Sequence, residues 1–317
     1  MLKSISPWRP FPALLLILLV MVTAGCGKRE DTGSGRLSQP GAGQTLKVGI
    51  IPFDKVDTIK AGFTPFAQYL AHKCGYAQGE VFITPEYSGV LQALHSDQID
   101  CAYLNPLSYV LAVQEFRDSP EHLDALAMPY FQGSLTYRGD IFARADSGIN
   151  TLADFKGKTF AFGDVTSTSG YLYPAGMLKA AGVDPDKDLK KVNITGPAAV
   201  KAVFNKNADG GAIFEGGIAL AYPDPAQQKQ LKVIAKTDPI PNGMIVARGN
   251  LAPQTLAKLQ QALKDINTDP EGKAALKAVP SGGWDKIVPA DDKIFDPVRE
   301  KATLLGLNLQ SLDAPKK

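Results

Sequence analysis

The sequence predicts an α/β protein of two similarly built lobes with a ligand cleft between them. From Leu46 onward, short apolar strands alternate with amphipathic helices, as in sheets covered by helices. Segments beginning at Val90 and Ala199 each contain a short helix, a polar turn with an aspartate and an apolar strand. A generic α/β connection gives the same pattern, but extended segments around Thr136 also separate two halves, and clefts between such halves commonly bind ligands.

The first half alternates regularly between the two element types. Its strands are "LKVGIIPF", "GEVFITPEY", "IDCAYLNP" and "LDALAMPYF", and its helices are "AGFTPFAQYLAHKCG", "GVLQALHSDQ" and "LSYVLAVQEF". The first helix shows apolar residues at helical spacing and stops at Gly75, because glycine readily adopts the backbone conformation that ends a helix.

The second half starts a new α/β set at "TLADFKGKTFAFGD". A helix follows Ser169, and then come the strands "KKVNIT", "GGAIFE", "LKVIAKT" and "NGMIVARG" around the helix "PAAVKAVFNKN". From Ala252 the pattern becomes helical. We therefore assign residues 46–132 and 251–317 to lobe I, and residues 133–250 to lobe II.

The N-terminus reads as an export signal. Lys3 and Arg9 precede the apolar run "FPALLLILLVMV", which is short for a transmembrane helix, and "TAG" precedes Cys26. That order indicates a lipoprotein signal peptide over residues 1–25 with acylation of Cys26. An ordinary signal peptide with an incidental cysteine is the alternative. Residues 26–45 are polar and rich in Gly and Ser, which predicts a flexible tether to the membrane.

Charge and residue counts exclude several classes of function. Residues 1–25 hold two basic residues and no acidic ones, so the remaining chain has 32 basic and 32 acidic residues. This balance argues against a nucleic-acid partner. We also predict no metal and no cofactor, because the histidines lack ligand spacing. Cys74 and Cys101 could form a disulfide or could both be buried thiols.

The stretch "DVTSTSGYLYP", from Asp164 to Pro174, has the character of an anion site. Its hydroxyl residues lie between the strand "KTFAFGD" and a predicted helix, where free N–H groups and the helix dipole favour an anion. A single serine there could be a simple helix cap, but four consecutive hydroxyls exceed that need. We predict that Ser167, Thr168, Ser169 and the Gly170 N–H bind an anion by neutral hydrogen bonds.

Other polar residues follow strands at the same expected edge of the sheets. In open α/β sheets, ligands bind beyond the carboxyl ends of the strands. The candidates are Asp54, Tyr87, Asn105 and Tyr109. No nucleophile elbow, phosphate-binding loop or metal-protease motif occurs, so we predict no enzyme activity.

Four segments carry a resemblance to a known family. They are "PEYSGVLQAL", "QIDCAYLNPLSYVLA", "LTYRGDIFARADSGINTLADFKGKTFAFGDVTSTSGYLYP" and "NADGGAIFEGG". They resemble the phosphonate-binding family of periplasmic solute-binding proteins, the receptors of ATP-driven importers. The resemblance covers about residues 46–251, with a looser match to the end. It implies a type II-like periplasmic-binding-protein fold, whose two lobes close over the ligand by a hinge motion.

The resemblance also implies a ligand set. A serine–threonine pair at a helix N-terminus holds the phosphonate oxygens in this family and corresponds to Ser167 and Thr168. Two tyrosines correspond to Tyr87 and Tyr137. The sequence departs from aminoalkylphosphonate binders, because Pro197 and Gly243 stand where a histidine and an aspartate are expected and only Glu215 remains. This departure favours a small oxyanion without an amine: phosphate, phosphite or a simple phosphonate.

Two carboxylates were further candidates for selectivity. Phosphate and phosphite monoanions carry a proton that sulfate lacks, so Asp164 or Asp54 at the site would accept a hydrogen bond from that proton and would repel sulfate. The sequence therefore predicts a monomeric, lipid-anchored, extracytoplasmic receptor that delivers its ligand to an ABC permease. The alternatives are a sensory module for a membrane histidine kinase, and a variant in which Cys74 or Cys101 captures a thiophilic oxyanion such as arsenite.

Overall fold

The computed structural model describes residues 44–117 and 122–307. The predicted signal peptide, Cys26 and nearly all of the predicted tether lie outside these residues. Within the described ranges, no helix has both the length and the apolar composition needed to cross a bilayer.

The described chain alternates between strands and helices. The strands are β1 (Thr45–Ile50), β2 (Gln78–Phe82), β3 (Cys101–Leu104), β4 (Leu123–Tyr130), β5 (Thr136–Tyr137), β6 (Gly139–Arg144), β7 (Thr159–Phe162), β8 (Lys190–Asn193), β9 (Gly210–Phe214), β10 (Leu231–Lys236), β11 (Ile240–Pro241), β12 (Met244–Arg248) and β13 (Lys286–Pro289). The helices are α1 (Val56–Cys74), α2 (Tyr87–His95), α3 (Pro106–Phe116), α4 (Tyr173–Ala180), α5 (Pro197–Phe204), α6 (Gly217–Ala221), α7 (Pro225–Gln228), α8 (Pro253–Asp265), α9 (Pro270–Ala278) and α10 (Asp296–Leu304).

The strands form two mixed sheets with the same topology. The first sheet has the order β13-β4-β12-β3-β1-β2 and the second has the order β10-β6-β9-β7-β8. β1 of the first sheet and β7 of the second each lie between two parallel partners. An antiparallel strand lies beside one of those partners in each sheet, β12 beside β3 and β6 beside β9. The two sheets are therefore built alike, which confirms the predicted α/β fold of two lobes.

Two short strands, β5 and β11, lie where the chain passes from one sheet to the other. β5 and β11 pair antiparallel as a short two-stranded ribbon. β12 was predicted to belong to lobe II, but it pairs with β3 and β4 in the first sheet. The return to lobe I therefore occurs before Met244 rather than at residue 250. Only the tertiary structure shows this boundary, because the sequence of an apolar strand does not indicate which sheet the strand joins.

The two segments that share a sequence pattern also share a structural role. Asp100 accepts a hydrogen bond from the Lys47 N–H at 2.9 Å, next to parallel β1 and β3. Asp209 accepts one from the Thr159 N–H at 2.8 Å, next to parallel β7 and β9. Each aspartate thus ties the start of its strand to the neighbouring strand, which sets the register of the parallel pair.

The helices cover apolar faces of the sheets. α1 packs with α8 and α9 in a core on the first sheet, and its C-terminus is closed by Gly75 at φ 87°. Cys74 and Cys101 lie in this core as free, fully buried thiols, which resolves the open question in favour of buried thiols. Burial raises the pKa of the Cys74 thiol to about 12, so it remains protonated.

Candidate functional site

A cavity of about 420 Å³ lies at the carboxyl ends of the parallel strands of both sheets. Ile51 and Asn105 line it just after β1 and β3 of the first sheet. Gly163 and Glu215 line it just after β7 and β9 of the second. This is the edge at which open α/β sheets bind ligands, and both lobes contribute to it.

The hydroxyl-rich loop occupies the polar side of this cavity. β7 ends at Phe162, and a π-helical turn over Thr168–Leu172 leads into α4. Ser167 is the cap of this turn, and its hydroxyl oxygen accepts the Gly170 N–H at 3.1 Å. Ser167, Ser169 and Gly170 all line the cavity. The predicted strand–loop–helix arrangement is therefore present, and one serine does serve as a helix cap.

Gly170 allows the loop to fold back on the strand end. The Gly163 N–H donates to the Gly170 carbonyl at 2.9 Å. A Cβ atom at position 170 would lie 2.9 Å from the Ser167 Oγ and 3.1 Å from the Gly163 Cα. A side chain here would push Ser167 from its position in the cavity.

Two tyrosine hydroxyls reach the same loop. The Tyr137 hydroxyl, from β5, lies 3.5 Å from the Ser169 Oγ, at the outer limit of a hydrogen bond, so its proton remains available to a ligand. Tyr87, at the start of α2, lines the cavity together with Ser167, and its backbone N–H donates to the Asp164 Oδ2 at 3.3 Å. Burial raises the pKa of Tyr137 to about 12 and that of Tyr87 still further, so both phenols stay protonated donors at neutral pH. The structure thus brings Ser167, Ser169 and both tyrosines together.

Thr168 points elsewhere. Its hydroxyl donates to the Asn105 Oδ1 at 2.8 Å and accepts the Leu107 N–H at 2.8 Å, and the residue is 1% exposed. A hydroxyl has only one proton, so this donor is already used. Thr168 therefore links lobe II to the N-terminus of α3 and does not line the cavity, unlike the predicted role as a ligand donor.

Three other predicted residues are not at the cavity wall. The Tyr109 hydroxyl donates to the Asp292 Oδ1 at 2.7 Å, which turns it towards the C-terminal part of the chain. The Asp164 carboxylate accepts the N–H and hydroxyl of Thr166 at 2.8 and 2.7 Å. Asp54 accepts the Lys55 N–H at 2.7 Å. Neither carboxylate is among the described residues that line the cavity, so neither contacts the space in which an oxyanion would bind.

Among the residues that the structure describes, one carboxylate and no cationic side chain line the cavity. Glu215 lines it and forms an ion pair with Lys236, which raises the pKa of that lysine through the hydrogen bond between them. Among the described residues, no lysine, arginine or histidine lines the cavity, and no cluster of metal ligands occurs. An anion here would be bound by neutral donors, as the charge balance of the sequence suggested.

The sequence did not reveal the aromatic side of the cavity. Phe63, Tyr103 and Trp284 pack ring against ring, with centroids 4.9 Å apart for Tyr103 and Trp284 and 5.5 Å for Phe63 and Trp284. They come from α1, from β3 and from the loop before β13. Phe63 follows the helical apolar pattern and reads as core, so no sequence signal distinguished these residues as cavity-lining.

Comparison with known proteins identifies the class to which this architecture belongs. The family model described as ABC transporter, phosphonate, periplasmic substrate-binding protein matches residues 48–295. The phosphonates-binding periplasmic protein of Escherichia coli K12 is 31% identical over 265 residues, which are 82% of this chain and 76% of that protein.

The chain belongs to the phosphonate-binding family of periplasmic substrate-binding proteins.

Two further relatives extend the comparison. The phosphate-import protein PhnD of Mycolicibacterium smegmatis is 28% identical over 313 residues, which are 93% of this chain and 94% of that protein. A solved binding-protein component of an ABC phosphonate transporter from Pseudomonas aeruginosa superposes with a TM-score of 0.73 at 29% identity. That alignment covers 85% of this chain and 87% of the other.

Membership of this family confirms the resemblance seen in the sequence. Its members are extracytoplasmic substrate-binding components of ABC importers and not enzymes. The alternative in which a cysteine captures a thiophilic oxyanion does not fit the structure. Cys74 and Cys101 lie in the core of the first sheet and do not line the cavity.

Proposed function

We propose that this receptor captures a phosphorus oxyanion against the loop Ser167–Gly170 and presents it to an ABC permease. The observation that carries the proposal is the convergence of neutral donors on one wall of the cavity. Ser167, Ser169 and the tyrosines Tyr87 and Tyr137 meet there. Hydrogen bonds to a charged partner contribute about 1.5–3 kcal/mol each, so a few of them support tight binding.

The relatives support the choice of ligand class. One is named for phosphonates and another for phosphate import, and both ligands present phosphorus-bound oxygens. Thr168 enters the proposal as a residue that holds the loop to α3, rather than as a ligand donor. Asn105 also helps to hold the loop in place, from lobe I, because its Oδ1 accepts the hydrogen bond from the Thr168 hydroxyl.

We further propose that the mature protein is a monomer anchored by lipid at Cys26. The supporting observation is the sequence "TAGC" after a basic and an apolar segment. Substituting Cys26→Ala should move the protein from the membrane fraction to the soluble fraction. Retention on the membrane in that variant would argue against the anchor.

The site is tested by calorimetry on ligand-free protein with phosphate, phosphite, methylphosphonate and sulfate. We expect at least one phosphorus oxyanion to bind, and the variant Ser169→Ala to lose about tenfold to a hundredfold in Kd, the value of one hydrogen bond to a charge. Ser96→Ala, at the exposed end of α2, is the matched control and should bind like the parent. Unchanged affinity in both Ser169→Ala and Ser167→Ala would refute the proposed site.

A further inference from the structure

The cavity has a second wall that the oxyanion site does not use. Phe53, Tyr103 and Phe131 are its partly exposed rings, and the buried rings of Phe63 and Trp284 pack against Phe53 and Tyr103. Leu220 of α6 lines the cavity from the other lobe. Aromatic and aliphatic side chains of this kind bind uncharged organic groups.

The volume of the cavity exceeds the need of a bare oxyanion. About 420 Å³ lies within the range of sites that enclose organic ligands of roughly 300–1,000 Å³. An inorganic anion held by the serines would leave water against the aromatic rings. Displacing weakly held water from such rings by an apolar group is favourable.

The charges around the cavity disfavour an amine on the ligand. Glu215 is the one carboxylate among the described lining residues, and it already pairs with Lys236. The Lys236 Nζ also lies 3.8 Å from the Asp140 Oδ1, so Glu215 belongs to a cluster of three charged groups with Lys236 and Asp140. A cation–π contact with these rings would contribute only about twofold to thirtyfold in affinity, which is about 0.5–2 kcal/mol. That gain is smaller than the hydration which an ammonium group loses when it is buried without an unpaired carboxylate.

The close packing around Gly243 leaves no room for an acidic side chain at that position of the wall. A Cβ atom at Gly243 would lie 2.2 Å from the Leu104 carbonyl oxygen and 2.6 Å from the Tyr103 ring. The Tyr103 ring therefore fills the space that a side chain at position 243 would need. The wall stays apolar as long as this ring remains in place.

We infer that the receptor is specific for phosphonates that carry an uncharged apolar substituent, such as an alkyl or aryl group, rather than an amine. This inference rests on the proposed function, since the serine loop must hold the phosphonate oxygens. The aromatic wall then selects the substituent, and the lack of a free carboxylate discriminates against aminoalkylphosphonates.

A matched pair of ligands tests the inference directly. Propylphosphonate and 2-aminoethylphosphonate have nearly the same length and differ in a terminal methyl or ammonium group. We expect calorimetry to show that propylphosphonate binds at least about tenfold more tightly than its amino analogue. It should also bind about fifteenfold more tightly than methylphosphonate, because each buried methylene gains about fourfold.

Two outcomes would overturn the inference. If 2-aminoethylphosphonate binds as tightly as propylphosphonate or more tightly, the cavity accepts an amine. If methylphosphonate binds but propylphosphonate gains nothing, the aromatic wall does not contact the substituent. In both cases the proposed oxyanion site survives. If no phosphorus oxyanion binds at all, the proposed function and the inference fail together.

Variants of the apolar wall give an independent readout. Leu220→Ala and Phe131→Ala should each reduce the ratio of propylphosphonate to methylphosphonate affinity by about fourfold or more. Leu304→Ala, at a residue that is 78% exposed and outside the cavity, should leave that ratio unchanged. If all three variants keep the parent's ratio of propylphosphonate to methylphosphonate affinity, the apolar wall does not contact the substituent and the inference is refuted.

Discussion

Thr168 shows how a single proton changes the role of a residue. The sequence placed it in a run of hydroxyl donors, and the family resemblance implied a ligand contact. In the structure its hydroxyl donates to Asn105 and accepts the Leu107 N–H, both at 2.8 Å. A hydroxyl cannot donate twice, so Thr168 positions the loop while Ser167 and Ser169 face the cavity.

We expect Thr168→Val to lower the free energy of unfolding by about 1–3 kcal/mol, because the buried hydrogen bonds to Asn105 and Leu107 are lost. Thr168→Ser keeps the hydroxyl and should recover most of that loss. Urea denaturation of both variants measures the difference. A large loss of oxyanion affinity in Thr168→Val with no loss of stability would instead indicate direct ligand contact.

At the scale of elements, the recurring helix–turn–strand unit explains why each lobe has the same sheet. In both lobes an aspartate before a parallel strand accepts a backbone N–H of the neighbouring strand. The pattern was visible in the sequence as two similar segments. The role of the aspartates was not visible in the sequence, because their partners are distant along the chain. Lys47 is 53 residues from Asp100, and Thr159 is 50 residues from Asp209.

Asp209→Ala should destabilise the second lobe by about 1–3 kcal/mol, since the partly buried Thr159 N–H would lose its acceptor. Asp209→Asn retains an acceptor oxygen and should cost less. Chemical denaturation followed by circular dichroism would measure both. If Asp209→Ala is as stable as the parent, the aspartate does not hold the strand register.

At the scale of the whole molecule, the cavity depends on a close approach between segments of the two lobes. Gly196, before α5, has φ 62° and ψ −147°, a conformation that glycine adopts without strain. A Cβ atom there would lie 2.4 Å from the Phe53 carbonyl oxygen. Phe53 and Gly196 both line the cavity, so this contact joins its two halves.

We expect Gly196→Ala to weaken oxyanion binding by about tenfold or more, because overpacking at the Phe53 carbonyl would hold the two segments apart. Gly182→Ala is the matched control: it also has positive φ, at 81°, but nothing lies within 4 Å of its Cβ position. It should suffer backbone strain without a comparable loss of affinity. Calorimetry and thermal unfolding of both variants separate the two effects, and equal affinities would contradict this role of the contact.

The sequence by itself determined the alternation of elements, the two-lobed α/β class and the serine loop after β7. These features depend on local periodicity, turn residues and composition, which are readable along the chain. The tertiary structure alone decided that β12 belongs to the first sheet, that Thr168 faces Asn105, and that Asp54, Asp164 and Tyr109 do not line the cavity.

The aromatic wall is also a feature that only the tertiary structure decided, because it depends on packing between segments that are distant along the chain. Phe63, Tyr103 and Trp284 are far apart in sequence and meet only when α1, β3 and the C-terminal segment pack together. Apolar residues look alike in a sequence whether they fill a core or line a cavity, because burial stabilises both. Local chemistry thus predicted where a phosphorus oxyanion could bind, and long-range packing decided what surrounds it.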